Sequence, residues 1–265
     1  MSRASAQGVH RLYTARTQAV PTPHSVQQIG LAAAVLIAAT MLTFSQARAA
    51  NFVPPSGCAL KITVQNRGCT VGQHYVCTAD APGDQHVIYF DKEGPSYHSK
   101  IDAETRWLES SDLTTGLTDR LMAQAADPAS FSTLLRTGRD DFDFWTESNN
   151  GEQLRHIGED RLTGETVEID GVKLELTQFQ LKTFGADGQL LIESTGQQFI
   201  NRDHGRFYGG VEHSEDWSGE IRNDDDSPVT FAFPGDAGFG ATEPLFDCEM
   251  MMALMPLAER YRHGG

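Results

Sequence analysis

The chain has 265 residues, 36 of them acidic and 21 basic, for a net charge of −15 at pH 7. That length suits one or two domains. A surface so acidic repels nucleic-acid phosphates and anionic lipid headgroups, and no Lys/Arg run offers a local exception, so nucleic acid is excluded as an expected partner.

Residues 1–49 differ from the rest. They contain Arg3, Arg11, Arg16 and Arg48 but no lysine and no acidic residue. The apolar run GLAAAVLIAATMLTF covers Gly30 to Phe44, and Ala47-Arg48-Ala49 follows it. A basic start, a short apolar centre and a small-x-small site describe a secretory signal peptide, cleaved near Ala49 or Ala50. The run falls short of the ~18–20 residues that span a bilayer. A transit peptide would share the arginines but not the compact apolar block. The region before the run is long for a signal peptide, which points to an over-long N-terminus with Val20 or Val26 as alternative starts. Without the four leader arginines the 21 basic residues fall to 17 and the net charge to −19. Residues 50–265 are expected to form a single β-rich domain, periplasmic or secreted, with no stable membrane span.

Strand signals begin directly after the lead-in NFVPPSG. In ALKITVQ the apolar Leu60, Ile62 and Val64 alternate with Lys61, Thr63 and Gln65, the period-2 pattern of a half-buried strand. HVIYF (86–90) and YHSKIDAETRW (97–107) continue it. LTDRLMAQAA reads as a weak helix, and DPASFSTLLRTG as a firmer one, with Asp127 at the N-cap, Pro128 in the first turn and Gly138 at C′. TVEID, VKLELTQFQLKTF and QLLIES are separated by Asp170-Gly171 and Asp187-Gly188, and Asn150-Gly151 precedes them; all three pairs are hairpin signals. Within VKLELTQFQL the apolar set moves from Val172, Leu174 and Leu176 to Phe179 and Leu181, which predicts a bulge near Thr177-Gln178. PVTFAF adds a late strand, and MMALMPLAERYRHGG ends the chain as a short helix or a tail. The fold class is mainly β: an antiparallel meander forming a curved sheet or half-barrel with one or two short helices.

Three of the four cysteines, Cys58, Cys69 and Cys77, lie close together, and Cys248 is distant. The spacings C-x10-C and C-x7-C lack the two-to-four-residue pairing of structural zinc sites and the C-x-x-C of redox enzymes. Ser56-Gly57-Cys58 only partly matches a lipid-attachment box, because Pro55 stands where a Leu-like residue is usual. Disulfides remain, as an even cysteine set in an exported chain implies. A hairpin tip at Arg67-Gly68 sets Cys58 opposite Cys77 and leaves Cys69 for Cys248. The pairing Cys58–Cys69 with Cys77–Cys248 satisfies the sequence equally well.

The segments CALKITVQNRGC, DAPGDQ, IDAETRWLES, DPASFSTLLRTGRDDFDF, LTGETVEIDG and DDSPVTFAFPGDAGF resemble an uncharacterised family of exported bacterial proteins, over about Cys58 to Cys248. The resemblance implies export. It implies no activity, cofactor or catalytic residue.

The residues themselves carry little recognisable chemistry. No H-x-H, H-x3-H or H-E-x-x-H is present among the histidines, nor a nucleophile elbow, Walker loop or dinucleotide fingerprint. No metal or cofactor is therefore expected. The acidic stretches Asp140–Asp143 and Asn223–Asp226 lack the calcium-loop spacing. In NRDHGRFYGG, Arg202, His204 and Arg206 are candidates for an anionic ligand. The leading expectation is a non-catalytic binding or carrier module of the cell envelope, with a small apolar ligand or an envelope protein as partner. The alternatives are a periplasmic hydrolase using His204 with Asp141 or Asp143, and a structural envelope protein.

Overall fold

A computed structural model of the chain describes residues 51–249; the expected leader and the final segment from Met250 lie outside them. The elements run β1 (Cys58–Asn66), β2 (Thr70–Cys77), β3 (Gln85–Asp91), β4 (Gly94–Ile101), β5 (Trp107–Asp112) and β6 (Thr118–Asp127), then the short helix α1 (Phe131–Thr137). After it come β7 (Arg139–Ser148), β8 (Gln153–Ile169), β9 (Val172–Gly185), β10 (Leu190–Asn201), β11 (Arg206–Tyr208), β12 (Val211–Asp216), β13 (Ile221–Asp225) and β14 (Pro228–Ala232). All the strands join one antiparallel sheet, from β13 through β12 and β10 down to β1 and then β14, with β11 beside β10. The expected curved β sheet is what forms, and among the described residues no helix is long and apolar enough to cross a membrane.

The sheet's curvature follows from its connectivity. β13 and β14 occupy opposite ends of the strand order, yet only Asp226 and Ser227 separate them. Three peptide steps of about 3.8 Å reach no further than about 11 Å. The two ends must therefore curl round to meet, although no ladder joins β13 to β14. The crossing dipeptide is held from both sides: Asp226 N–H donates to Gly210 O, and Arg67 N–H donates to Ser227 O, each at 2.9 Å.

The parity change in β9 has a different cause from the expected bulge. Its pairing with β10 is unbroken from Glu175 to Thr183, so Val172 and Leu174 lie on the opposite face from Phe179 and Leu181. Each pair enters a different core cluster. Val172 and Leu174 pack with Ile62, Val64, Tyr208 and Phe231. Phe179 and Leu181 pack with Phe142, Phe144 and Ala129. The bulge itself lies on the neighbouring strand, between Leu162 and Thr166 of β8. On the Phe179 face two rings lie over cross-strand glycines, Phe142 opposite Gly158 and Phe179 opposite Gly196. A Cβ on either glycine would stand within 3 Å of the facing ring and closer still to a backbone carbonyl, of Gln180 at Gly158 and of Val211 at Gly196, so neither position has room for a side chain.

Two local expectations are corrected. LTDRLMAQAA is not helical but forms most of β6, whose register to β7 slips twice, at Leu121/Ala125 and Ala125/Asp127; strand pairing overrides the propensity of an alanine-containing stretch. The helix that does form starts later than read. Ser130, not Asp127, is the N-cap, its hydroxyl accepting from Thr133 N–H, while Gly138 closes the C-terminus at φ 82° as expected. YHSKIDAETRW also divides into two strands, with a turn at Asp102–Arg106 where Asp102 accepts from the Glu104 and Arg106 amides. Of the three hairpin pairs only Asp170-Gly171 has positive φ at both positions.

The cysteines pair as Cys58–Cys77 and Cys69–Cys248. The first hairpin turns over three residues, Arg67 to Cys69, so the ladder near its tip is one step out from the simple count; an irregularity at Lys61 restores it and brings Cys58 opposite Cys77. Cys69–Cys248 ties the last described segment across β1 and β2. There Gln73 Nε2 donates to Ala241 O, Gln65 Nε2 donates to Glu243 O, and Gly240 N–H donates to Thr63 Oγ1.

Candidate functional site

Of the three sequence candidates in NRDHGRFYGG, two converge and one does not. The tight turn between β10 and β11 is fixed by Asn201 Oδ1, which accepts from His204 N–H at 2.7 Å. Arg202 points to the outside and pairs with Glu175, its Nη2 at 2.8 Å from Oε2. His204 Nδ1 lies 2.7 Å from Tyr208 Oη. Arg206, only 5% exposed, lies beneath the Tyr208 ring at 5.7 Å.

Arg206 is the unusual group. Its Nη1 donates to Gln85 Oε1 at 3.2 Å, and its Nε is buried with no hydrogen-bond partner. Among the described residues no carboxylate pairs with it; its near neighbours include the tyrosines Tyr208 and Tyr89. A buried guanidinium without a counter-ion costs several kcal/mol in a folded protein. Burial lowers its pKa and holds the Tyr208 phenol above its ordinary value. The neighbouring imidazoles are pushed towards neutrality. Burial, then Arg206 and His204, hold His74 well below the usual histidine range, and burial, then Arg206, lowers His204.

Other buried polar atoms share this condition. His74 Nδ1, Ser194 Oγ, and both Nε2 and Oε1 of Gln198 have no hydrogen-bond partner. His74 rests edge-on to Tyr208, with ring centroids 5.6 Å apart. Ser194 and Gln198 lie on the Phe179 face of the sheet, by their pairing with Leu181 and Thr177. Folded proteins satisfy nine-tenths or more of their buried polar groups. Two of these groups, Arg206 and His74, flank Tyr208 on the Leu174 face of the sheet, whereas Ser194 and Gln198 lie on the opposite face.

The remaining enzymatic candidates are otherwise engaged. Asp141 and Asp143 do share a strand face, but Arg139 takes Asp141 and Arg155 takes Asp143, each holding its carboxyl below the usual range. None of these bonds joins either carboxylate to His204. The acid pair that is set apart is Asp140 and Asp160, directly opposite each other on β7 and β8. Burial pushes Asp140 up to about 6 and Asp160 up to about 7, although Asp140 accepts from Ser130 N–H.

A second polar cluster lies on the other side of the β2–β4 sheet, and the sequence offered no motif for it. Lys100 Nζ contacts Asp80 Oδ1 at 2.6 Å and Asp84 Oδ2 at 3.0 Å. Asp80 Oδ2 meets His86 Nε2 at 2.7 Å, His86 Nδ1 meets His98 Nε2 at 3.1 Å, and Tyr75 Oη lies 3.2 Å from that same nitrogen. Tyr75, His86 and His98 are cross-strand neighbours on three adjacent strands. No family model matches the chain, and no curated protein or solved structure matches it either.

Proposed function

We propose that this is an exported, disulfide-stabilised binding protein of the cell envelope that holds an amphipathic anion, its charged head on Arg206 and its apolar part on the inner side of the curled sheet. The supporting observation is the buried, unpaired Arg206 with its idle Nε. Arginine presents a planar fork suited to carboxylate or phosphate, and removing both partners from water makes that contact strong. Tyr208, His204 and His74 supply neutral polar edges around the head. Neutral imidazoles beside the cation leave a single positive charge, enough for one monoanion. Next to the head lies the apolar cluster of Ile62, Val64, Leu174 and Phe231, packed with Tyr208, and the ligand's apolar part would have to enter beside it. Two disulfides and the signal-like leader favour an oxidising compartment outside the cytoplasm, periplasmic or secreted.

Native mass spectrometry of protein purified from its own envelope tests this reading. A retained small acid, lost in an Arg206→Met variant, is the expected result. Protein that carries no ligand and fails to bind decanoate or decyl phosphate when titrated with them overturns it.

A further inference from the structure

We propose that Tyr75, His86 and His98 form a site for a divalent transition-metal ion, with Asp80 as the group that orients it. The proposal is independent of Arg206 and lies on another part of the sheet. An ionised carboxylate only accepts hydrogen bonds. With Asp80 Oδ2 2.7 Å from His86 Nε2, that nitrogen carries the proton, and in the neutral ring Nδ1 presents its lone pair. Lys100 Nζ holds the other carboxylate oxygen, 2.6 Å from Asp80 Oδ1. A carboxylate fixing one imidazole nitrogen so that the other can ligate is the arrangement found behind metal-bound histidines.

The separations fit an ion. Zinc–nitrogen bonds of about 2.0–2.1 Å in a tetrahedron place ligand atoms about 3.3 Å apart. His86 Nδ1 and His98 Nε2 are 3.1 Å apart, and Tyr75 Oη is 3.2 Å from the latter. In the metal-free protein one proton serves the two facing nitrogens. On binding, His98 carries its proton on Nδ1 instead and offers Nε2, so no proton need leave the pair. Two imidazoles, with Tyr75 releasing its phenol proton to solvent as its oxygen ligates and with open positions for water, suit Zn²⁺ and, more tightly, Cu²⁺. His86 retains 12% exposure of its side chain as an entry. The alternative grouping of Cys77, Asp80 and His86 is closed while Cys77 is bonded to Cys58.

Titrating the oxidised protein with Zn²⁺, by calorimetry and by NMR of the histidine rings, decides the matter. One equivalent is expected to bind, with the His86 and His98 ring signals moving first. Asp80→Asn should weaken binding about 10–100-fold, His98→Gln should abolish the one-to-one event, and His213→Gln, on β12, should leave it unchanged. Because the wild-type ring signals report the site directly, a variant that fails to fold does not obscure the answer. Absence of stoichiometric binding, or first movement of other histidines, overturns the proposal.

Discussion

Gln85 and Arg206, 121 positions apart, meet where the two limbs of the sheet close on each other. The amide oxygen of Gln85 accepts from Arg206 Nη1, and its nitrogen donates to the carbonyls of His204 and Gly205 at 3.0 and 3.1 Å. One side chain on β3 thus fixes the β10–β11 turn and steadies the buried cation. This contact is a hydrogen-bonded anchor, on β3, for the turn that carries Arg206.

Replacing Gln85 by Leu should therefore cost about 2–4 kcal/mol, because two carbonyls and a guanidinium donor lose their partner in a buried setting. Urea unfolding measures it. A cost under about 0.5 kcal/mol would mean that the limbs are held together by other contacts.

The two disulfides should differ in worth. Cys69–Cys248 closes a span of 179 residues and Cys58–Cys77 one of 19, so chain entropy assigns them about 5 and about 3 kcal/mol respectively. Paired Cys→Ser replacements, compared by urea midpoint, should destabilise in that order.

Asp160→Asn should make the protein more stable near neutral pH. The folded-state pKa of about 7 lies above the ordinary carboxylate value of 3.8, chiefly through burial. Between these values the folded state binds the proton and the unfolded state does not. Stability from this group is therefore present at low pH and lost as pH rises towards and through 7. The variant should gain on the order of a few kcal/mol at pH 8 and little at pH 4. Unfolding across that range reads the difference, and an unchanged gap between wild type and variant would contradict a buried, protonated Asp160.

How much of this was legible depends on whether the signal was local. The alternation around Ile62 and the Asp170-Gly171 pair speak through nearest neighbours, so strand and hairpin could be read from them. The sequence leaves two cysteine pairings open, and what decides for Cys58–Cys77 is a register that runs through a three-residue turn compensated at Lys61. The sites are another matter. Asp140 faces Asp160 about the Asn150-Gly151 turn, and His98 approaches His86 about the turn at Asp91–Gly94. Asp140 and Asp160 are direct partners across their strands, whereas His86 and His98 meet on a diagonal, His86 opposite Lys100 and His98 opposite Ile88, and neither pair forms a motif along the chain. Arg206 was visible as a residue; that it lacks a counter-ion is a property of how strands far apart in sequence pack. β6 misled because its two register slips break the alternation by which a strand is recognised.

The most direct test of the central claim is a paired measurement on Arg206→Met. Removing an uncompensated buried charge should raise stability, while abolishing the binding of decanoate that calorimetry is expected to detect in the wild type. Greater stability together with lost binding is the predicted result. A variant that is less stable than the wild type, or that binds decanoate equally well, would contradict the assignment of Arg206 as the seat of an anion.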